Sequence, residues 1–160
     1  MPIQRIQLRQ DALMANSVSG VVKPWYRQFY VLRGTAAWAS DAVSDEGYEM
    51  GVEAIGGFIY ISTAMYGSPT QVLFEVSPSE PAEPGDAERS AVVAVEGDGP
   101  LALLNWGDDK PVATVDVPGG LLWCRVSWTG SVAASRHPDA EVGGTSLSPE
   151  RVRIQAWPAR

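Results

Sequence analysis

From Gly57 onward, apolar and polar residues alternate with a period of two, and turn residues interrupt the alternation at short intervals. This is the pattern of half-buried β-strands, in which successive side chains point to opposite faces of a sheet. It is clearest over Leu121 to Thr129, where Leu122, Cys124, Val126 and Trp128 share one face while Trp123, Arg125 and Ser127 share the other. The same spacing predicts strands over Phe58 to Met65, Gln71 to Ser77, Ala91 to Glu96, Leu101 to Trp106, Val112 to Val117 and Arg151 to Trp157. YGSP, EGDGP, GDDKP and Pro118-Gly119-Gly120 supply the turns between them. The polar stretch from 130 to 150 is too long for a tight turn and reads as a surface loop.

Upstream, Trp25 to Leu32 reads as a strand with Phe29 and Val31 on one side and Tyr26, Gln28 and Tyr30 on the other. Residues 1 to 24 read as an arm or edge strand, with a short alternation at 3 to 9. Only the connector after Leu32 admits a helix, over 40 to 47, with Ser40 as its cap and Gly47 as its stop. Strands of this length that each bury one face are accommodated by two packed sheets. The expected fold is therefore all-β: a single-domain antiparallel β-sandwich over residues 1–160 with one short helix in the 40–47 connector. A closed barrel is the alternative.

Charge changes the picture. Residues 34 to 88 contain ten acids and no Lys or Arg, a formal charge of −10, whereas the rest of the chain carries +3, giving −7 for the whole. Such a balance argues against nucleic acid as a direct ligand, because binding there rests on neutralising phosphates with cations. A solvated surface that keeps the protein soluble is one reading of the acids. The other is a docking surface for a basic protein partner, formed by Asp41, Asp45, Glu46, Glu49 and Glu53 with Trp38 and Tyr48 as aromatic anchors.

The residues that commonly carry chemistry are sparse. His137 is the single histidine and lies in the polar loop, so a two-His metal site cannot be built. Cys124 is the single cysteine, sits on an apolar strand face, and leaves no internal disulfide or CxxC site. Asp108 and Asp109 fall in a turn, and no phosphate-loop, dinucleotide or HExxH motif occurs, so neither an enzyme, a cofactor nor a metal is expected. The N-terminal stretch has no apolar h-region, so no membrane span is signalled and a cytoplasmic location is expected. Six tryptophans, at 25, 38, 106, 123, 128 and 157, leave a carbohydrate- or protein-binding module as the alternative function.

Tyr26-Arg27-Gln28-Phe29-Tyr30-Val31, followed by Trp38, Asp41, Ala42, Gly47-Tyr48 and Ala54-Ile55, resembles the N-terminal half of the competence protein J family, the DNA-entry nuclease inhibitors. Val117-Pro118-x-Gly120 leading into Leu121, and the closing run Arg151 to Ala156, extend the resemblance to the other end of the chain. The sequence departs from the family pattern at Glu53, where the family has Gly, and in a longer 130–150 loop. The resemblance implies a non-enzymatic inhibitor that binds a nuclease, in a competence setting or as the immunity protein of a nuclease toxin. It agrees with the charge argument, since a nuclease presents a positive groove to its substrate.

Overall fold

In the computed structural model, which describes residues 16–160, the strands form two five-stranded sheets. The first has the order β1 (Ser17–Val22), β5 (Thr70–Val76), β10 (Arg151–Pro158), β9 (Leu122–Thr129), β6 (Arg89–Val95). The second has the order β3 (Val52–Ile55), β4 (Phe58–Ser62), β2 (Gln28–Arg33), β7 (Leu101–Asn105), β8 (Ala113–Val115). The architecture is the expected all-β sandwich, not a closed barrel. The short alternation at 3 to 9 lies outside the described residues. The edge strand within the arm runs over Ser17–Val22.

The period-two pattern works as the sequence suggests. Leu122, Cys124, Val126 and Trp128 of β9 meet Phe29, Val31, Ile59 and Ile61 of the opposite sheet in one core, with Val72, Phe74, Val152 and Ile154 beside them. Burying each of these larger side chains contributes roughly 1.5–3 kcal/mol. Trp128 also joins the layers by a polar contact, its Nε1 donating to the Ser62 carbonyl at 2.9 Å.

Three local expectations need correction. First, β5 and β10 pair in parallel, while every other described pair is antiparallel. β10 returns antiparallel to β9 after the 130–150 loop, and its other neighbour is then β5 running the same way. Second, the strand expected from Trp25 begins only at Gln28, because Trp25–Arg27 form a 3-10 turn with Tyr26 and Arg27 both left-handed, at φ 57° and 60°. Third, the helix of the connector is displaced. Ser40–Ala42 make a 3-10 turn, and helix α1 spans Asp45–Met50. Its cap is Ser44, whose Oγ accepts from the Gly47 N–H at 3.0 Å, and its stop is Gly51 at φ 77°. The 130–150 loop contains a second short helix, α2 (Ser131–Ser135).

Candidate functional site

The outward face of β2 and β4 is aromatic: Tyr30, Phe58 and Tyr60 form a second buried cluster, with Leu32, Ala39, Val43 and Ile55 against it. This cluster explains why the acidic connector has a fixed place. Trp38 packs edge-on to Tyr30 with centroids 4.7 Å apart, and Tyr48 of α1 packs edge-on to Tyr60 at 5.2 Å. Each ring is anchored below and exposed above, Trp38 by 40% and Tyr48 by 51%. An amphipathic aromatic held in this way presents a rigid surface that a partner can cover without ordering it first.

The carboxylates divide around this floor. Burial raises the Tyr30 phenol pKa, and Tyr48, Tyr60 and Asp41 add to the rise in that order. Burial and the neighbouring Tyr48 push Tyr60 up to about 12. On α1, Asp45, Glu46 and Glu49 are exposed, and Asp45 and Glu46 occupy the first turn, where the helix field favours negative charge. Asp41, Asp45, Glu46 and Glu49 enter none of the ion pairs among the described residues.

Glu53 behaves differently. Its carboxylate accepts from the Ser44 N–H at 2.7 Å and from the Ser44 hydroxyl at 3.1 Å, so it fastens the start of α1. Arg89 fastens the other end, donating to the Met50 carbonyl at 2.9 Å while its guanidinium lies 3.8 Å above the Trp128 ring. A cation at a helix C-terminus is favourably placed. The sequence offered no signal for Arg89, which lies far along the chain from α1.

The remaining acids of the 34–88 stretch do not extend this surface. Glu75 pairs with Arg153 and Glu80 with Arg125, each at 2.8 Å, while Glu83 is bonded by Ser90. Glu88 accepts from the Gly130 and Val132 N–H groups at the start of α2. Glu75, Glu80 and Glu83 thereby bond to strands of the first sheet and Glu88 to α2, while Asp86 enters none of the ion pairs among the described residues.

Cys124 is fully buried, and burial pushes its thiol up to about 12, which keeps it from acting as a nucleophile. His137 Nδ1 accepts from the Asp139 N–H at 3.1 Å within its own loop, and Asp108 accepts from the Asn105 amide at 3.2 Å in its turn. Trp128 belongs to the core and Trp157 is 6% exposed. Trp25, Tyr26, Tyr66 and Trp106 gather at one end of the sandwich, where neighbouring rings meet edge-on at 60–76°, and Trp123 is 38% exposed.

No family model matches this chain, and no curated protein matches it. Its fold, however, is that of small β-sandwich proteins that include an enzyme inhibitor. One is ComJ from Bacillus subtilis, inhibitor of the DNA degrading activity of NucA, with a TM-score of 0.60 at 13% identity over 89% of this chain and 95% of that one. Another is the product of crocagin biosynthetic gene J, with a TM-score of 0.61 at 16% identity over 92% of this chain and 100% of that one.

Proposed function

We propose that this protein is a nuclease inhibitor that acts by docking, without chemistry of its own, through the surface built by Trp38, Asp41, Asp45, Glu46, Tyr48 and Glu49. Glu53 belongs to it as the residue that holds α1 in place. One observation carries the reading: four carboxylates free of internal ion pairs lie on a connector whose two half-exposed aromatics are anchored from beneath. A nuclease gathers cations around its phosphate-binding groove, so this surface is complementary to it in charge, and the aromatic anchors add contact area that excludes water. The similarity in fold to ComJ, itself an inhibitor of a DNA-degrading enzyme, supports the same reading. Blocking is steric and electrostatic, with the inhibitor occupying the groove that DNA would enter. Competence control and immunity to a nuclease toxin both use this chemistry, and a nuclease encoded by the adjacent gene would distinguish them.

The test is inhibition of plasmid degradation by a purified NucA-type nuclease. The wild-type protein is expected to inhibit at near-stoichiometric amounts, and the Asp45→Lys/Glu49→Lys variant is expected to lose at least about tenfold in affinity, since each reversed contact at such an interface costs one or more kcal/mol. An unchanged dissociation constant would remove this surface from the interface, and full DNA degradation in the presence of excess wild-type protein would remove the inhibitor reading for that nuclease class.

A further inference from the structure

The outer face of the first sheet holds a recess remote from the connector. It lies between β1, β5, β9, β10 and the segment around Pro84 and Asp86, is open to solvent on one side, and has a volume of about 450 Å³. Small-molecule sites usually measure about 300–1,000 Å³. Val21, Leu73 and Pro84 give it apolar walls. Its polar groups are unevenly satisfied. Arg153 is held by Glu75 through two bonds of 2.8 and 2.9 Å. Ser127 lines the same recess, is 2% exposed, and has an Oγ with no hydrogen-bond partner among the described residues. Leaving a buried hydroxyl unpaired costs about 1–3 kcal/mol. Arg151, also in the lining, enters none of the ion pairs among the described residues.

Register brings these two groups together. Ser127 faces Arg153 across the β9–β10 pair, and Arg151 is two residues before Arg153 on the same side of the strand. Ser127 and Arg151 are therefore diagonal neighbours, roughly 7–8 Å apart with their Cβ atoms somewhat closer, and a flexible arginine can share one bound group with the hydroxyl. With Arg153 already bonded to Glu75, Arg151 is the cation of the lining that enters none of the ion pairs among the described residues, and Asp86 is the acid in the lining. We propose that this recess binds a small monocarboxylate with an apolar body, its carboxylate on the Arg151 guanidinium and the Ser127 hydroxyl, its body against Val21, Leu73 and Pro84. The hydroxyl donates and the carboxylate accepts, which satisfies both the buried oxygen and the free cation. Asp86 disfavours a dianion, so a phosphate monoester fits less well.

The full-length protein, labelled with nitrogen-15, would be titrated with phenylacetate, hexanoate, phenylacetamide and phenyl phosphate while its amide resonances are followed. Phenylacetate and hexanoate should shift the amides of Leu73, Ser127 and Arg151 saturably. Phenylacetamide and phenyl phosphate should bind about tenfold more weakly or not at all. Arg151→Gln should weaken phenylacetate about tenfold and Ser127→Ala severalfold, while Arg151→Lys should retain part of the affinity. Arg151 is exposed, so its variants should keep the wild-type spectrum elsewhere. Absence of saturable shifts at those amides up to about 10 mM of both acids would overturn the proposal. So would equal binding of phenylacetamide, or an Arg151→Gln variant that binds as the wild type does.

Discussion

Glu150 closes the 130–150 loop from a fully buried position, its carboxylate accepting from the Ala64 N–H at 2.9 Å and from the Ser131 hydroxyl. Burial raises its pKa, and its hydrogen bonds and Arg89 only partly oppose that rise. A raised folded-state pKa means that the folded chain holds this proton more tightly than the unfolded chain does. The stability it contributes is complete below the ordinary carboxylate range and declines as pH rises toward the folded-state value. Urea unfolding of wild type and Glu150→Gln at about pH 4 and pH 7 should therefore show the wild type losing ground to the variant at the higher pH. A constant difference would mean that the group titrates alike in both states. Nothing in the sequence singled out Glu150, because its burial follows from a loop folding back onto the residues just after β4, which no local pattern encodes. Cys124, Trp128 and the inward residues of β9 were readable, since alternation on a central strand fixes their side.

At the scale of the element, α1 shows both the reach and the limit of local signals. Ser40 and Gly47 have the same separation as Ser44 and Gly51, so the sequence offers two capping frames four residues apart. The later frame wins because Ser44 also gains Glu53, and position 47 has no room for a side chain, since a Cβ there would meet Glu53 Oε2 and, at 2.9 Å, Glu53 Cβ. Gly47 is thus a packing requirement rather than a stop. Although alanine is the better helix former, Gly47→Ala should destabilise the protein by about 1–2 kcal/mol, the scale of overpacking, in a denaturant titration. Ser44→Ala should cost about 1 kcal/mol. Stabilisation by Gly47→Ala would show that Glu53 moves aside freely. The strand β3 was hidden for a related reason: its few residues lie in an acidic stretch and pair with β4 in three dimensions, while the turn at Trp25–Arg27 imitated a strand through its aromatic content.

At the scale of the molecule, the charge asymmetry was legible but its layout was not. The ten acids of residues 34 to 88 look continuous along the chain, yet the fold sends Glu75, Glu80 and Glu83 to partners on the first sheet, Glu88 to the start of α2 and Glu53 to Ser44, and leaves Asp41, Asp45, Glu46, Glu49 and the distant Asp86 outside the ion pairs among the described residues. Under the docking reading, the association rate with a basic nuclease should fall by roughly tenfold or more between about 20 and 300 mM salt, with dissociation changing far less, because screening acts on the encounter. Stopped-flow mixing would measure it, and a salt-independent rate would place the interface away from α1. Among the described residues, no helix is long and apolar enough to cross a membrane.

Trp128 belongs to the first sheet by its backbone and to the second by the bond from its indole nitrogen, and the Arg89 guanidinium lies over its ring. The molecule therefore carries an internal optical gauge of its own layering. In a variant whose other five tryptophans are replaced by phenylalanine, emission from that shielded indole should stay blue while the two sheets remain in contact and turn red once water reaches the gap, so their parting can be watched without attaching any dye.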